Sequence, residues 1–193
     1  MNMPLSEEQR DGLQELMNIS MGQAANSLAR LIETKISLSI PEITSVSPNQ
    51  LNEICNTAHV YRTRQSFLGE IKGEVINLLS PQGLQEIAEL MDYDSPLDDS
   101  DLNEVLLDLS NILAGACLNG FSSQLELKTS LTMPTIYKHQ LSDDIAEWKT
   151  TLVMKIAFII ESIAFDSRVI ICLDENSIKT VIQKLNAMLG IED

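Results

Sequence analysis

The chain is short of basic charge. Its 13 Lys and Arg stand against 28 Asp and Glu, a net charge of −15, which repels a polyanion instead of releasing counterions from it. Nucleic acid and anionic membrane are therefore excluded as first choices of partner. Histidine is scarcer still: His59 and His139 are the only two, each in polar, loop-like sequence with no second ligand type at a metal-binding spacing. The three cysteines, Cys55, Cys117 and Cys172, contain no C-x-x-C pair, which argues against both a disulfide framework and a zinc knuckle and leaves them as reduced structural residues. A long apolar run is missing too. The longest, Leu152 to Phe165, is broken by Lys155 and Glu161 and falls short of the roughly 20 residues that span a bilayer, so no membrane insertion is expected. Met1 to Glu8 hold neither a basic leader nor an apolar stretch, and a cytoplasmic location is the expectation. No G-x-S-x-G elbow, P-loop, G-x-G-x-x-G or H-E-x-x-H string occurs.

What is present is an ordinary globular composition, 44% hydrophobic over 193 residues, enough for one substantial core. The eight methionines sit mainly at core-like positions.

The chain repeats itself. Sliding it by 93 positions lays Asn18–Pro41 on Asn111–Pro134, and nine of those 24 positions are identical, among them Asn18/Asn111, Gly22/Gly115, Asn26/Asn119, Leu38/Leu131 and Pro41/Pro134. With the offset relaxed to 94, Val75-Ile76 falls on Val169-Ile170. The halves cover about 5–92 and 99–190, joined by an acidic, proline-containing link over 92–99 that reads as exposed connection.

Each half opens with a long helix. Ser6 and Gln9 make a capping-box pattern before Leu13, Leu16, Met17, Ala24, Leu28, Leu31 and Ile32, which recur at helical spacing. The counterpart begins near Asp99 to Asp101 and carries Leu102, Val105, Leu106, Leu109, Leu113 and Phe121. Alternating segments follow at Ile36–Pro41 and Thr129–Pro134, then strand-like runs at Val60–Leu79 and Lys149–Leu173, each expected to fold as a hairpin near 68–73 and 161–166. Short helices close the halves at Pro81–Met91, with Ser80 as cap, and at Ser177–Leu189. This order predicts one α+β domain with pseudo-twofold symmetry, in which two small sheets meet under helices. A half of about 95 residues is marginal alone, so the halves are expected to share a core.

The chemistry-bearing residues lie on the two long helices. Asp11, Glu15, Asn18 and Gly22 fall in one stripe away from the apolar face, and Glu104, Asp108, Asn111 and Gly115 repeat it. Such a stripe can be plain charged surface, or the asparagines can pin a loop while the glycines admit a neighbouring helix. Yet asparagine is an indifferent helix former, and two of them match across the repeat. A carboxamide carries an acceptor and two donors on a short arm and can hold a water; an adjacent carboxylate can grip a lysine.

The spacing Asp, three residues, Glu, two residues, Asn, and Pro after 22 more is complete in Asp11, Glu15, Asn18 and Pro41. It resembles the signature of the CheC/CheX/FliY phosphatases of bacterial chemotaxis. The second copy keeps Asn111 and Pro134 but has Glu104 where Asp or Ser is expected and Asp108 where Glu is expected, and two copies in one chain resemble the CheC members. The resemblance implies a phosphatase that hydrolyses the aspartyl phosphate of a CheY-like receiver domain. It implies Glu15 and Asn18, and Asp108 and Asn111 in the second copy, as the catalytic acid and amide. Asp11, Glu104, Gly22 and Gly115 would lie against the partner, with Pro41 and Pro134 as structural members of the motif. No cofactor of its own is implied, the Mg²⁺ belonging to the receiver. Some members also bind the deamidase CheD through the second half, and some pair through their strands, so CheD is a candidate partner and the chain a monomer or a homodimer. The alternative is a receiver-binding or adaptor protein without catalysis.

Overall fold

Ser6 and Gln9 form the expected capping box. The serine hydroxyl accepts from Gln9 N–H at 3.1 Å, and Gln9 Oε1 accepts from Ser6 N–H at 3.0 Å, satisfying amides that the helix itself leaves unpaired. From this cap α1 runs over Glu7–Ile32. The computed structural model describes residues 5–56, 59–94, 96–137, 151–163 and 165–191. The first half continues with β1 (Ser37–Leu38), β2 (Glu42–Val46), α2 (Pro48–Cys55), β3 (Tyr61–Gly69), β4 (Gly73–Leu79) and α3 (Leu84–Leu90). The second holds α4 (Asp99–Gln124), β5 (Thr129–Leu131), β6 (Thr135–Ile136), β7 (Thr151–Ile160), a 3₁₀ turn (Glu161–Ile163), β8 (Phe165–Leu173) and α5 (Glu175–Leu189).

The two sheets predicted from the sequence are one. All ladders are antiparallel and run in the order β1-β7-β8-β4-β3-β5, with β2 also on β7 and β6 also on β3. The hairpins β3–β4 and β7–β8 form as expected and are fused by β4–β8 pairing. The fusion follows from burial: every residue of β4 is buried, and a strand covered on both faces needs partners on both edges.

One face of the sheet carries Val75, Leu79, Met154, Ile156, Val169 and Ile171 against α1, α3, α4 and α5. The other face carries Ile76, Leu78, Val153, Ile170 and Cys172 against Val46 of β2 and Leu51 and Cys55 of α2. α2 is not among the helices expected from the sequence, although Ser47 and Gln50 form a second capping box and Pro48 occupies its first turn. Three further corrections concern helix positions. The predicted helix at Pro81 starts instead at Leu84, with Gly83 as its cap at φ 72°. A Cβ at Gly83 would meet the Ile163 carbonyl oxygen at 2.2 Å, and Ser80 Oγ bonds the Gln82 carbonyl rather than the helix start. The last helix begins two residues early, capped by Asp174, which accepts from Ser177 N–H at 2.8 Å. Leu31, assigned to the buried face of α1, is 48% exposed.

α1 and α4 pack antiparallel. Gln124 Nε2 donates to the Leu16 carbonyl at 3.1 Å and to Ser20 Oγ at 2.8 Å, Gly120 lies against Ser20, and Cys117 contacts Met21 further along. A Cβ at Gly120 would come within 2.9 Å of Ser20 Cα, so the close approach requires the missing side chain. α4 is long and apolar enough to cross a membrane by length and composition, but most of that stretch is buried in the fold. The three cysteines are free and buried. Of the histidines His59 is exposed and His139 falls outside the described residues.

Candidate active site

The rotation of α1 is set by what it buries. Leu13, Leu16, Met17, Ser20, Met21, Ala24 and Leu28 face the sheet and α4, which turns Asp11, Glu15 and Asn18 to the exposed side. α4 buries Val105, Leu106, Leu109, Ser110, Leu113 and Ala114 and likewise exposes Glu104, Asp108 and Asn111. Neither asparagine is enclosed. The antiparallel crossing sets Asn18 beside the C-terminal turns of α4, so the two stripes are separated by roughly 15 Å along the helix axis at 1.5 Å per residue.

Gly22 and Gly115 follow one turn later on each stripe. A Cβ built at either glycine meets nothing within 4 Å. Close helix packing, one of the two explanations open at the sequence level, is therefore not what these glycines serve; helix packing needs Gly120 instead. A glycine inside a helix costs about 0.5–1 kcal/mol relative to alanine, and nothing in the chain itself offsets that cost at these two positions.

The motif prolines sit beside the stripes. Gln14 Nε2 donates to the Pro41 carbonyl at 3.0 Å, tying the start of β2 to the helix that carries Glu15 and Asn18. In the second half Leu131, Thr132, Met133 and Pro134 form one wall of a groove of about 400 Å³, and Glu104, Leu107, Asp108 and Asn111 form the other. The residues just before the prolines were missed by sequence reading. Ile40 is 76% exposed and Met133 84% exposed, at equivalent positions of the repeat. Alternation along Ile36, Leu38 and Ile40 places Ile40 on the buried face, but β1 is only two residues long and the chain has turned by then.

The two sites differ in what holds their side chains. Among the described residues Glu15 and Asn18 have no hydrogen-bond or ion-pair partner. Asp108 Oδ2 accepts from the Tyr93 hydroxyl at 2.8 Å, so the acidic link does more than connect. Burial first, then the bond to Asp108 and the charges of Asp108, Glu104 and Asp101, push the Tyr93 phenol above the usual tyrosine range. Asn111 Oδ1 accepts from Gln65 Nε2 at 3.1 Å, and the same nitrogen donates to the Thr132 carbonyl at 3.0 Å. Among the described residues no three of the His, Cys, Asp and Glu side chains gather in the way a metal site needs.

An outward-facing helix bearing an acid one turn before an amide, with a proline bend between two strands beside it, suits insertion into another protein's pocket. The family model described as the CheC-like family matches residues 8–45, which hold the whole first stripe and Pro41. The chain is 28% identical over 141 residues to the protein named CheY-P phosphatase CheC of Bacillus subtilis (strain 168), covering 68% of this chain and 67% of that one. Its fold is similar to that of Thermotoga maritima FliY, with a TM-score of 0.75 at 16% identity over 96% of this chain and 99% of that one. It is also similar to the FliM middle domain from H. pylori, with a TM-score of 0.66 at 10% identity over 93% of this chain and 99% of that one. The match over residues 8–45, the relative and the shared fold together support a relation to the CheC/CheX/FliY family.

Proposed function

We propose that this protein accelerates hydrolysis of the aspartyl phosphate of a CheY-type receiver domain in the cytoplasm. The observation that carries the reading is that Glu15 and Asn18 stand exposed one turn apart with no described partner in their own chain, inside the segment that matches the family model. The name of the Bacillus subtilis relative supports the substrate class. In this reading α1 docks against the receiver, Glu15 pairs with a receiver lysine, and the Asn18 carboxamide orients a water in line with phosphorus. The water oxygen bonds to phosphorus as the bond to the aspartyl oxygen breaks. The receiver's carboxylate leaves, and inorganic phosphate retains both hydrogens of the water. The receiver's own Mg²⁺ carries the phosphoryl charge, so this chain contributes positioning, which accounts for several kcal/mol when reacting atoms are held near attack distance.

A second reading, a receiver-binding or adaptor protein without catalysis, draws on the fold shared with the FliM middle domain and on the shorter acid at Asp108. Decay of phosphorylated receiver, followed with the wild type, Asn18→Ala, Asn111→Ala and the double variant, separates the two. The phosphatase reading expects wild type to shorten the phosphoryl lifetime and the double variant to lose the effect. Four identical decay rates with binding intact would leave the adaptor.

A further inference from the structure

The two stripes share their asparagine, glycine and proline, but the side chains beneath them do not match. In the ladders Leu38 pairs with Phe158 and its repeat mate Leu131 pairs with Phe67, so Phe67 and Phe158 are equivalent. Two residues back along each strand, Gln65 and Ile156 are therefore equivalent as well. Both are buried, 1% exposed each. The second site thus stands over a buried amide where the equivalent position of the first is the apolar side chain of Ile156, which has no group to hydrogen-bond Asn18.

Which end of Asn111 faces inward follows from a backbone carbonyl. Thr132 O can only accept, so the Gln65 group beside it must be the –NH₂, and the second hydrogen of that –NH₂ requires an acceptor in Asn111. Asn111 therefore turns its oxygen down to Gln65 and its own –NH₂ outward. A water that attacks phosphorus aims one lone pair at it and becomes more nucleophilic when a neighbouring group accepts one of its protons. That makes the carboxamide oxygen the working end, and at Asn111 it is already engaged. Asp108, the acid of the same stripe, is engaged too, by Tyr93.

We infer that Gln65 and Tyr93 are positioning residues that latch the second site, leaving the first as the hydrolytic one and the groove at Leu131 to Pro134 as a docking surface for the same receiver. The inference rests on the phosphatase reading. To present its oxygen, Asn111 must break the bond to Gln65 and leave a buried N–H without a partner on a side chain whose Oε1 already has none. A penalty of that kind slows the second site by about ten-fold or more.

The test measures phosphoreceiver decay in two backgrounds. In Asn18→Ala, where only the second site remains, Gln65→Ile and Tyr93→Phe are expected each to raise the rate and together to raise it about ten-fold. In Asn111→Ala, where only the first site remains, the same substitutions are expected to leave the ratio of rates near one, a result that also reports an intact fold. Tyr93→Phe removes a single hydroxyl from a half-buried position and stands as the test if Gln65→Ile disturbs β3. No gain, or a loss, in the Asn18→Ala background while Asn111→Ala remains active would overturn the latch and leave the phosphatase reading standing. A wild type that fails to shorten the phosphoryl lifetime would overturn both.

Discussion

Ile76 pairs with Ile170 across β4 and β8, and the two are each other's counterparts in the repeat. Their neighbours obey the same exchange: Val75 pairs with Ile171 and Asn77 with Val169. The pseudo-twofold axis therefore passes through the centre of this ladder, where both residues are wholly buried in the cluster under α2. Ile76→Ala and Ile170→Ala are each expected to cost about 2–5 kcal/mol through lost burial and a residual cavity. Because the halves share one sheet, chemical unfolding should remain a single transition with a lowered midpoint. Two resolved transitions, one per half, would contradict a shared core.

Gly22 and Gly115 make a contrasting prediction, because open space surrounds both. Gly22→Ala and Gly115→Ala should raise stability by about 0.5–1 kcal/mol each through helix propensity alone. If the glycines admit a partner's backbone, the same variants should bind phosphorylated receiver more weakly. Thermal unfolding and a titration with receiver held in its phosphorylated form read the two effects separately.

Asn18→Ala should behave in the same divided way. The side chain is exposed and makes no described contact, so alanine is expected to stabilise α1 by about 0.5 kcal/mol. Phosphatase activity should fall at least ten-fold, with the loss in turnover rather than in receiver affinity. Equal losses of stability and activity would mean that Asn18 is a structural residue.

Ile40 is exposed beside Pro41, and replacing it should not disturb the core. Ile40→Ser is expected to leave the unfolding midpoint within the small range of surface substitutions, about 0.5 kcal/mol, while weakening receiver binding at the first site. Met133→Ser should do the same at the second. Unchanged affinity in both variants would remove these residues from the docking surface.

The buried thiols set an alkaline limit. Burial lifts Cys55 from 9.0 to about 12, against a smaller opposing pull from the neighbouring Tyr137 and Arg62. Burial raises Cys117 as well, and burial with the neighbouring Cys55 and Glu74 raises Cys172. The folded state therefore holds these protons more tightly than the unfolded chain does. The resulting stability is fully present below about pH 9 and is lost as pH rises from 9 toward 12. Urea midpoints should be level up to pH 9 and decline above it, and the thiols should resist alkylation until the chain unfolds.

Much of the fold was legible along the chain. The capping box at Ser6 and the hairpin turns near Gly69 and Glu161 are local patterns, and each appears where its spacing puts it; the 93-residue repeat is read by comparing the halves directly. The exposed faces carrying Asn18 and Asn111 follow from the same helical periodicity. Less was legible wherever an element is too short to show a period. The eight-residue α2 was passed over although Ser47, Pro48 and Gln50 announce it. The start of α3 at Leu84 was misplaced because the constraint on Gly83 comes from the Ile163 carbonyl 80 residues away.

By itself the sequence determined the order of elements in each half and the acid and amide stripes, because each depends on residues within a few turns of one another, and the duplication, because the two halves can be compared position by position. Only the tertiary structure decided that the halves form one sheet, that Gln65 lies under Asn111 while Ile156 is its equivalent for the first site, and that Tyr93 reaches Asp108. Those relationships are set by strand register and helix crossing, in which residues tens of positions apart are brought within hydrogen-bond distance, and no local periodicity encodes which of them will meet.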